Sequence, residues 1–298
     1  MVRQGGTFML VSASSMLRSA EQGHYAIGAF NTNNLEWASS ILDAAEKEQA
    51  PVIVQCTGGA AKWQTSFKLV KDMVEELVKV KNITVPVAMH LDHGNYEEVF
   101  QAIEAGFTSV MYDGSRENDF ELNRKRTEEI VKLCHKKGIS VEAEVGGIGG
   151  TEDGVTNTGE LADPKQCEIF ANLGVDALAC GIGNIHGVYP KSWKSLSFER
   201  ISMIKEKVGD LPLVLHGGSG IPTEQVQKAI SMGISKVNVN TELQQVFTAA
   251  VRKYVEEGKD LEPKGFDPRK ILKPGREAIV ERACELIRDF GSDNKGWN

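Results

Sequence analysis

The chain has 298 residues, 41% of them hydrophobic and 25% charged, with 34 Lys+Arg against 41 Asp+Glu for a formal net charge of −7. That is an ordinary globular mixture with enough apolar material for a sizeable core, so an extended disordered chain is excluded. The acidic balance argues against general nucleic-acid binding, which needs a basic face, and no apolar run approaches the ~20 residues that span a bilayer.

In chain order, the stretch from Thr7 to Leu17 is mildly apolar. Only Arg3 charges its front and serines interrupt it, so it reads as an amphipathic first helix and not as a signal peptide. Short apolar runs then predict strands at Ala26–Asn31, Pro51–Cys56, Val85–Asp92, Ser109–Asp113, Ser140–Val145, Ala177–Ile182, Leu211–His216 and Lys236–Asn240. Several are near-continuous Val/Ile/Leu/Ala, as parallel strands buried on both faces are. Helical periodicity predicts helices at Leu35–Gln49, Ser66–Lys81, Asn95–Ala105, Asn123–Lys137, Pro164–Leu173, Phe198–Val208, Thr223–Met232 and Thr241–Glu257. Asn34, Asp163 and Pro222-Thr223 mark helix starts, and Gly106, Gly138, Gly174 and Gly233 mark helix ends. Eight strands alternating with eight helices predict an α/β fold of the closed (β/α)8 barrel type, with right-handed crossovers. The G-x-G-x-x-G of a dinucleotide fold is missing after the first strand.

No low-complexity linker divides the chain, so residues 1–298 read as one domain. Its tail, from about residue 258, is expected as a loop through Pro263, Gly265, Asp267-Pro268 and Pro274-Gly275, followed by a last helix over Arg276–Phe290. The five cysteines (Cys56, Cys134, Cys167, Cys180 and Cys284) are odd in number, scattered, and form no C-x-x-C pair. Neither a disulfide framework nor a cysteine zinc knot is expected, and the chain is placed in a reducing cytosol.

In such a barrel the chemistry sits at the C-terminal ends of the strands. Those ends are loaded here: His90-Leu91-Asp92-His93-Gly94, Asp113-Gly114-Ser115, Glu142 and Glu144, His186-Gly187, His216-Gly217-Gly218-Ser219-Gly220, and Asn238, Asn240 and Thr241. Of six histidines, His90, His93, His186 and His216 lie at strand ends, while His24 and His135 read as surface residues. Three neutral imidazoles converging on one point make a catalytic zinc set with a fourth position open. The pleat puts residues 90 and 92 on one face and residue 93 where the strand turns, so His93 leans over the rim and His90 is an inner support. The glycine-rich Gly217–Gly220 loop and Asn240-Thr241 at the start of a helix suit a phosphate. The connection from Gly146 to Asp163 is far longer than the usual about 2–6 residues and carries Glu152 and Asp153, as a lid with a general base would. A zinc site, a phosphate pocket and spare carboxylates together suggest proton transfer beside a metal-bound carbonyl, with the metal stabilising an enediolate. An imine route needs a lysine on the inner wall. No strand end carries one, since Lys236 sits at the start of its strand, the wrong end.

These motifs resemble the class II (metal-dependent) fructose-1,6-bisphosphate aldolases, including the tagatose-bisphosphate branch, from about Met9 to Ser292. They are Ala88–Gly94, Ser109–Ser115, Val141–Gly146, His186-Gly187, Leu215–Gly220 and Val237–Glu242. The resemblance implies a (β/α)8 barrel that interconverts fructose 1,6-bisphosphate with dihydroxyacetone phosphate plus glyceraldehyde 3-phosphate. It implies that His93, His186 and His216 bind a catalytic Zn2+, with Asp113 and Glu144 serving a second divalent position. Asp92 would shuttle the proton on the aldehyde side and Glu152 the proton of the enediolate. Gly187, Gly217, Gly218, Ser219, Asn238, Val239, Asn240 and Thr241 would contact dihydroxyacetone phosphate. A monovalent cation is allowed for, and a homodimer or higher homo-oligomer is expected, with small phosphorylated sugars as partners and neither nucleic acid nor membrane. After His186 the family often has Tyr-Lys-Gly where this chain has Tyr189-Pro190-Lys191-Ser192-Trp193, so Lys191 joins Arg269 and Arg276 as candidates for the second phosphate. Asn240 and the Asp267–Lys270 segment look more like the fructose enzymes than the tagatose ones. The competing readings are a tagatose-1,6-bisphosphate aldolase, a zinc hydrolase on a barrel, and a sugar-phosphate-binding protein without catalysis.

Overall fold

The computed structural model describes residues 10–117, 119–152 and 154–297, and only the backbone of Glu152 and Val155. Its strands are β1 (Ile27–Asn31), β2 (Val52–Cys56), β3 (Val87–Gly94), β4 (Ser109–Tyr112), β5 (Ser140–Val145), β6 (Gly149–Glu152), β7 (Val155–Asn157), β8 (Ala177–Cys180), β9 (Ile185–His186), β10 (Leu213–Leu215) and β11 (Ile234–Val239). Eight of them close a barrel in the order β1-β2-β3-β4-β5-β8-β10-β11, and each neighbouring pair is parallel. This is the expected (β/α)8 architecture.

Alternation along each strand sorts the core into two bodies. Outward residues such as Phe30, Val54, Met89, Val110, Val141 and Leu215 pack under the surrounding helices. Inward residues Ile27, Ala29, Ile53, Ala88, Met111, Ala177, Ala179 and Val214 form a separate apolar cluster inside the barrel. A helix over Ala13–Gly23 closes that cluster from the N-terminal end with Ala13, Met16, Leu17 and Ala20. The expected first helix is therefore real but displaced. Ser12 caps it, its side chain accepting a hydrogen bond from the Ser14 amide, and Thr7 to Met9 lie outside the described residues.

The local signals act as read. Asn34 and Asp163 cap their helices through side-chain hydrogen bonds, and Gly106 ends its helix in the left-handed region. One expectation needs correction. The last helix runs from Pro268 to Asp289 and takes in Pro274-Gly275, which read as loop. Asp267 caps it and Pro268 opens it, and Gly275 lies against the Phe247 ring, where a Cβ would sit 2.4 Å from Cδ2. Packing against helices Leu35–Glu48 and Thr241–Glu256 outweighs the amide hydrogen bond that Pro274 lacks. The long connection after Gly146 carries strands of its own: β6 and β7 form an antiparallel hairpin, and β6 pairs in parallel with β9.

Candidate active site and metal centre

The inward positions change character toward the C-terminal ends of the strands. Above Ala29 stands Asn31, above Ile53 stands Gln55, above Ala88 stand His90 and Asp92, and above Val214 stands His216. His93 reaches the same interior by an irregularity. The β3–β4 register shifts between Leu91 and Gly94, and His93 takes a left-handed backbone (φ 49°). Regular alternation would send residue 93 outward with Leu91. The bulge turns it in beside Asp92, and backbone strain of this kind gathers at functional sites.

Three imidazoles then meet. His93 Nε2 lies 3.2 Å from His186 Nε2 and 2.8 Å from His216 Nδ1. The outer nitrogens are committed elsewhere. His93 Nδ1–H donates to Asp113 Oδ2 at 2.9 Å, and His216 Nε2–H donates to Glu142 Oε1 at 2.9 Å. Burial and the charge on His93 push His186 down to about 3, and the same influences hold His216 well below the ordinary imidazole range. Three ring nitrogens facing one another with two rings held neutral form a donor set that a shared cation satisfies better than any arrangement of N–H groups. A second group, His93, Asp113 and Glu144, also brings its ligand atoms within 4.8 Å of one another. There Ser115 Oγ donates to Asp113 and Glu144, and Arg116 pairs with Asp113 at 2.7 Å. Glu144 Oε2 is buried without a hydrogen-bond partner. Burial and the adjacent Asp113 raise Glu144 to about 8, whereas Asp113 is lowered because His93 and Arg116 outweigh its burial. The residues fit one cation at the imidazoles and an adjoining position at the carboxylates.

Asp92 is 2% exposed, and amide groups surround it. Asn31 Nδ2 and Gln55 Nε2 donate to Oδ2 at 2.9 and 3.1 Å, and Asn238 Nδ2 reaches Oδ1 at 3.3 Å. Burial pushes its pKa up, but the adjacent charge on His93, with Lys236 and the Asn31 hydrogen bond, more than offsets this and keeps it lowered. Asn31 and Gln55 were not singled out from the sequence. The available signal was a lone polar residue among apolar ones at the same height on adjacent strands.

Asp92, His186, His216 and Asn238 line one cavity with Gly187, Gly217, Ser219, Asn240 and Thr241. Two of the expected contacts lie elsewhere. The Gly218 amide is spent on the Asn238 carbonyl at 2.9 Å, and the Val239 side chain belongs to the layer between strands and helices. Two glycines set the height of His186. Gly217 (φ 61°) and Gly150 (φ 90°) each place a built Cβ 2.2 Å from the carbonyl oxygens of Ile185 and His186 respectively. Tyr189, also not anticipated, ties the same loop down: its hydroxyl accepts from the Ile185 amide at 2.9 Å and donates to the Gly217 carbonyl at 2.8 Å.

The remaining candidates are scattered. The Glu152 side chain lies outside the described residues, as does Asp153. Lys191 is exposed on its loop. Arg269 pairs with Asp267, Arg276 donates to Ser39 Oγ at 2.9 Å, and both line a groove between helices Leu35–Glu48 and Pro268–Asp289, apart from the histidine cavity. The expectation for Lys236 fails. β11 begins at Ile234, two residues earlier than read, so Lys236 lies within the strand; it alternates onto the inward face with Asn238 and is fully buried, with Nζ 2.7 Å from Glu142 Oε2.

Comparison with known proteins agrees with this geometry. The family model described as fructose-bisphosphate aldolase class-II matches residues 11–295. A fructose-bisphosphate aldolase of Mycoplasma pneumoniae is 50% identical over 96% of this chain and 100% of its own length. One from Streptococcus pyogenes serotype M1 is 48% identical over 96% and 99%. The crystal structure of the YdjI aldolase of Escherichia coli K12 superposes with a TM-score of 0.82 at 36% identity, covering 97% of this chain and all of that one. The chain belongs to the class-II fructose-bisphosphate aldolase family.

Proposed function

We propose that the histidine-lined cavity carries out the reversible aldol cleavage of fructose 1,6-bisphosphate into dihydroxyacetone phosphate and glyceraldehyde 3-phosphate. The convergence of three imidazole nitrogens beside an amide-cradled carboxylate carries this reading. His93 Nε2, His186 Nε2 and His216 Nδ1 hold a divalent cation, Zn2+ by the all-nitrogen character of the set, with Asp113 and Glu144 as its adjoining position. When bound, the ion supplies a Lewis acid for the charge that develops on the substrate carbonyl oxygen.

This chain's own residues do the rest. Asp92 Oδ2 takes two amide donors while Oδ1 takes one long contact, so Oδ1 is the atom free to work. In the cleavage direction it accepts the C4 hydroxyl proton as the C3–C4 bond breaks, and it returns that proton on condensation. Glu152, on the hairpin that pairs with β9, returns a proton to C3. The Gly217 amide and the Ser219 hydroxyl, with Asn240 and Thr241 opening a helix, receive the phosphate of the dihydroxyacetone half. The Ser219 oxygen already accepts from the Glu242 amide at 3.1 Å, which leaves its own proton for the phosphate. Neither lysine nor arginine of the described residues lines this cavity, so the second phosphate draws on Lys191, Arg269 or Arg276 of this copy or a neighbour in a homo-oligomer. Five buried free cysteines suit a reducing cytosol.

A coupled assay with fructose and tagatose bisphosphates, before and after chelation, tests the reading. The expected result is cleavage of the fructose sugar, lost with the metal and restored by Zn2+. Activity that survives chelation overturns the metal route, and a larger kcat/KM on tagatose bisphosphate moves the assignment to the epimer.

A further inference from the structure

The aldol chemistry leaves a buried charged pair, Lys236 and Glu142, unused. Lys236 is 0% exposed, lies below Asn238 on β11, and does not line the substrate cavity. Its ammonium donates to Glu142 Oε2 at 2.7 Å and to His90 Nε2 at 3.2 Å. Because an ammonium only donates, His90 Nε2 accepts, and the other ring nitrogen, Nδ1–H, donates to Ser109 Oγ at 2.7 Å. On the other side, Glu142 Oε1 accepts from His216 Nε2 at 2.9 Å. A directed chain thus crosses the barrel beneath the cluster, from Ser109 through His90, Lys236 and Glu142 to His216.

We infer that Lys236 and Glu142 act as one positioning pair that fixes which nitrogen of His216 faces the metal. Lys236 pins Oε2, so the carboxylate plane is set and Oε1 is aimed at Nε2. With Nε2–H committed, only Nδ1 of His216 is left to face His93 and His186. Carboxylates that take up the second nitrogen of a ligating histidine orient it in this way. A stabilising role explains the pair poorly, because well-packed apolar residues commonly replace a buried ion pair without loss. The ammonium also offsets the carboxylate charge beneath the site, and its engagement by two partners keeps it out of the cavity.

The inference rests on the metal reading above, and competition with a chromophoric chelator for Zn2+ separates the two. A wild-type protein that takes up no Zn2+ overturns the metal reading. If wild type does bind, Lys236→Met is expected to weaken Zn2+ by about 10–100-fold, with the apoprotein still folded by circular dichroism. Should that variant not fold, Glu142→Gln/Lys236→Met leaves no unpaired buried charge and is expected to fold while binding Zn2+ about 10-fold more weakly, since nothing pins the amide. Either folded variant with a Zn2+ affinity within about threefold of wild type overturns the pair's role. A measurement on the unaltered protein decides independently: 15N histidine spectra of the Zn2+ form should show His216 protonated at Nε2 with the metal on Nδ1, and metal on Nε2 would sink the inference.

Discussion

The barrel interior has two storeys built on one alternation. Below, Ile27, Ala29, Ile53, Ala88, Ala177, Ala179 and Val214 are small or aliphatic, and a single amphipathic helix covers them. Above, the same inward positions hold Asn31, Gln55, His90, Asp92, Glu142, Glu144, His216 and Asn238, all below a tenth exposed. An apolar layer is stable against any apolar cover, so the floor needs only volume. A buried polar layer needs a partner for each donor and acceptor, which is why the upper storey is a directed network. Among the inward-facing strand residues, the buried atoms without a hydrogen-bond partner, Glu144 Oε2, Gln55 Oε1 and Asn238 Oδ1, all belong to this upper storey. Changes above should therefore remove function and spare the fold, and changes below should do the reverse.

His216→Ala is the largest blow to the upper storey. It is expected to abolish Zn2+ uptake and cleavage while the far-ultraviolet dichroism stays that of a folded barrel. Loss of the fold with the metal would show that the two storeys are not separable. Asp92→Ala comes next. It should lower kcat by at least ~100-fold with Zn2+ and phosphate binding nearly intact, and an unchanged kcat removes Asp92 from the chemistry. Gly150→Ala acts at one remove. Its φ of 90° and the nearby His186 carbonyl force a backbone shift, costing about 1–3 kcal/mol of strain and displacing His186. Weaker Zn2+ binding with an unaltered Asp92 environment is expected from chelator competition. On the floor, Leu17→Ala should cost about 2–5 kcal/mol in urea unfolding, while kcat of the folded protein stays that of wild type.

The contrast also explains what the sequence could disclose. Eight apolar runs alternating with helical periods are local signals, and the barrel follows from them. His93, His186 and His216 were legible because polar residues at strand ends stand out, and the 90/92 pleat separated His90 from the cluster. The Lys236 network was not legible, because nothing local to its own strand discloses the Glu142 and His90 side chains that meet it across the barrel interior. Asn31 and Gln55 were missed for a related reason: each is unremarked on its own strand, and their meaning comes from the register that brings both to Asp92. The helical course through Pro274-Gly275 is tertiary, set by the Phe247 ring and two flanking helices, and no local signal contains it.

The smallest expected effect is a pH dependence confined to the upper storey of the metal-free protein. Burial opposes charge on His93, yet Asp92, Asp113 and Glu144 raise it to about 10, and burial with the nearby Asp113 raises Glu144 to about 8. In the unfolded chain these groups titrate near ~6.5 and ~4.3. Both raised groups thus hold protons in the folded apoprotein that the unfolded chain has released, so stability falls as pH rises, from near neutrality until His93 titrates at about 10. His186, lowered to about 3, acts in the opposite sense, but its contribution is complete by the unfolded imidazole value of ~6.5. The Tm of the chelated protein should therefore decline steadily between pH ~7 and ~10, with a shallower decline after Zn2+ is restored, because the cation takes over the role of the His93 proton. A flat apoprotein profile would mean that the carboxylates do not hold that proton.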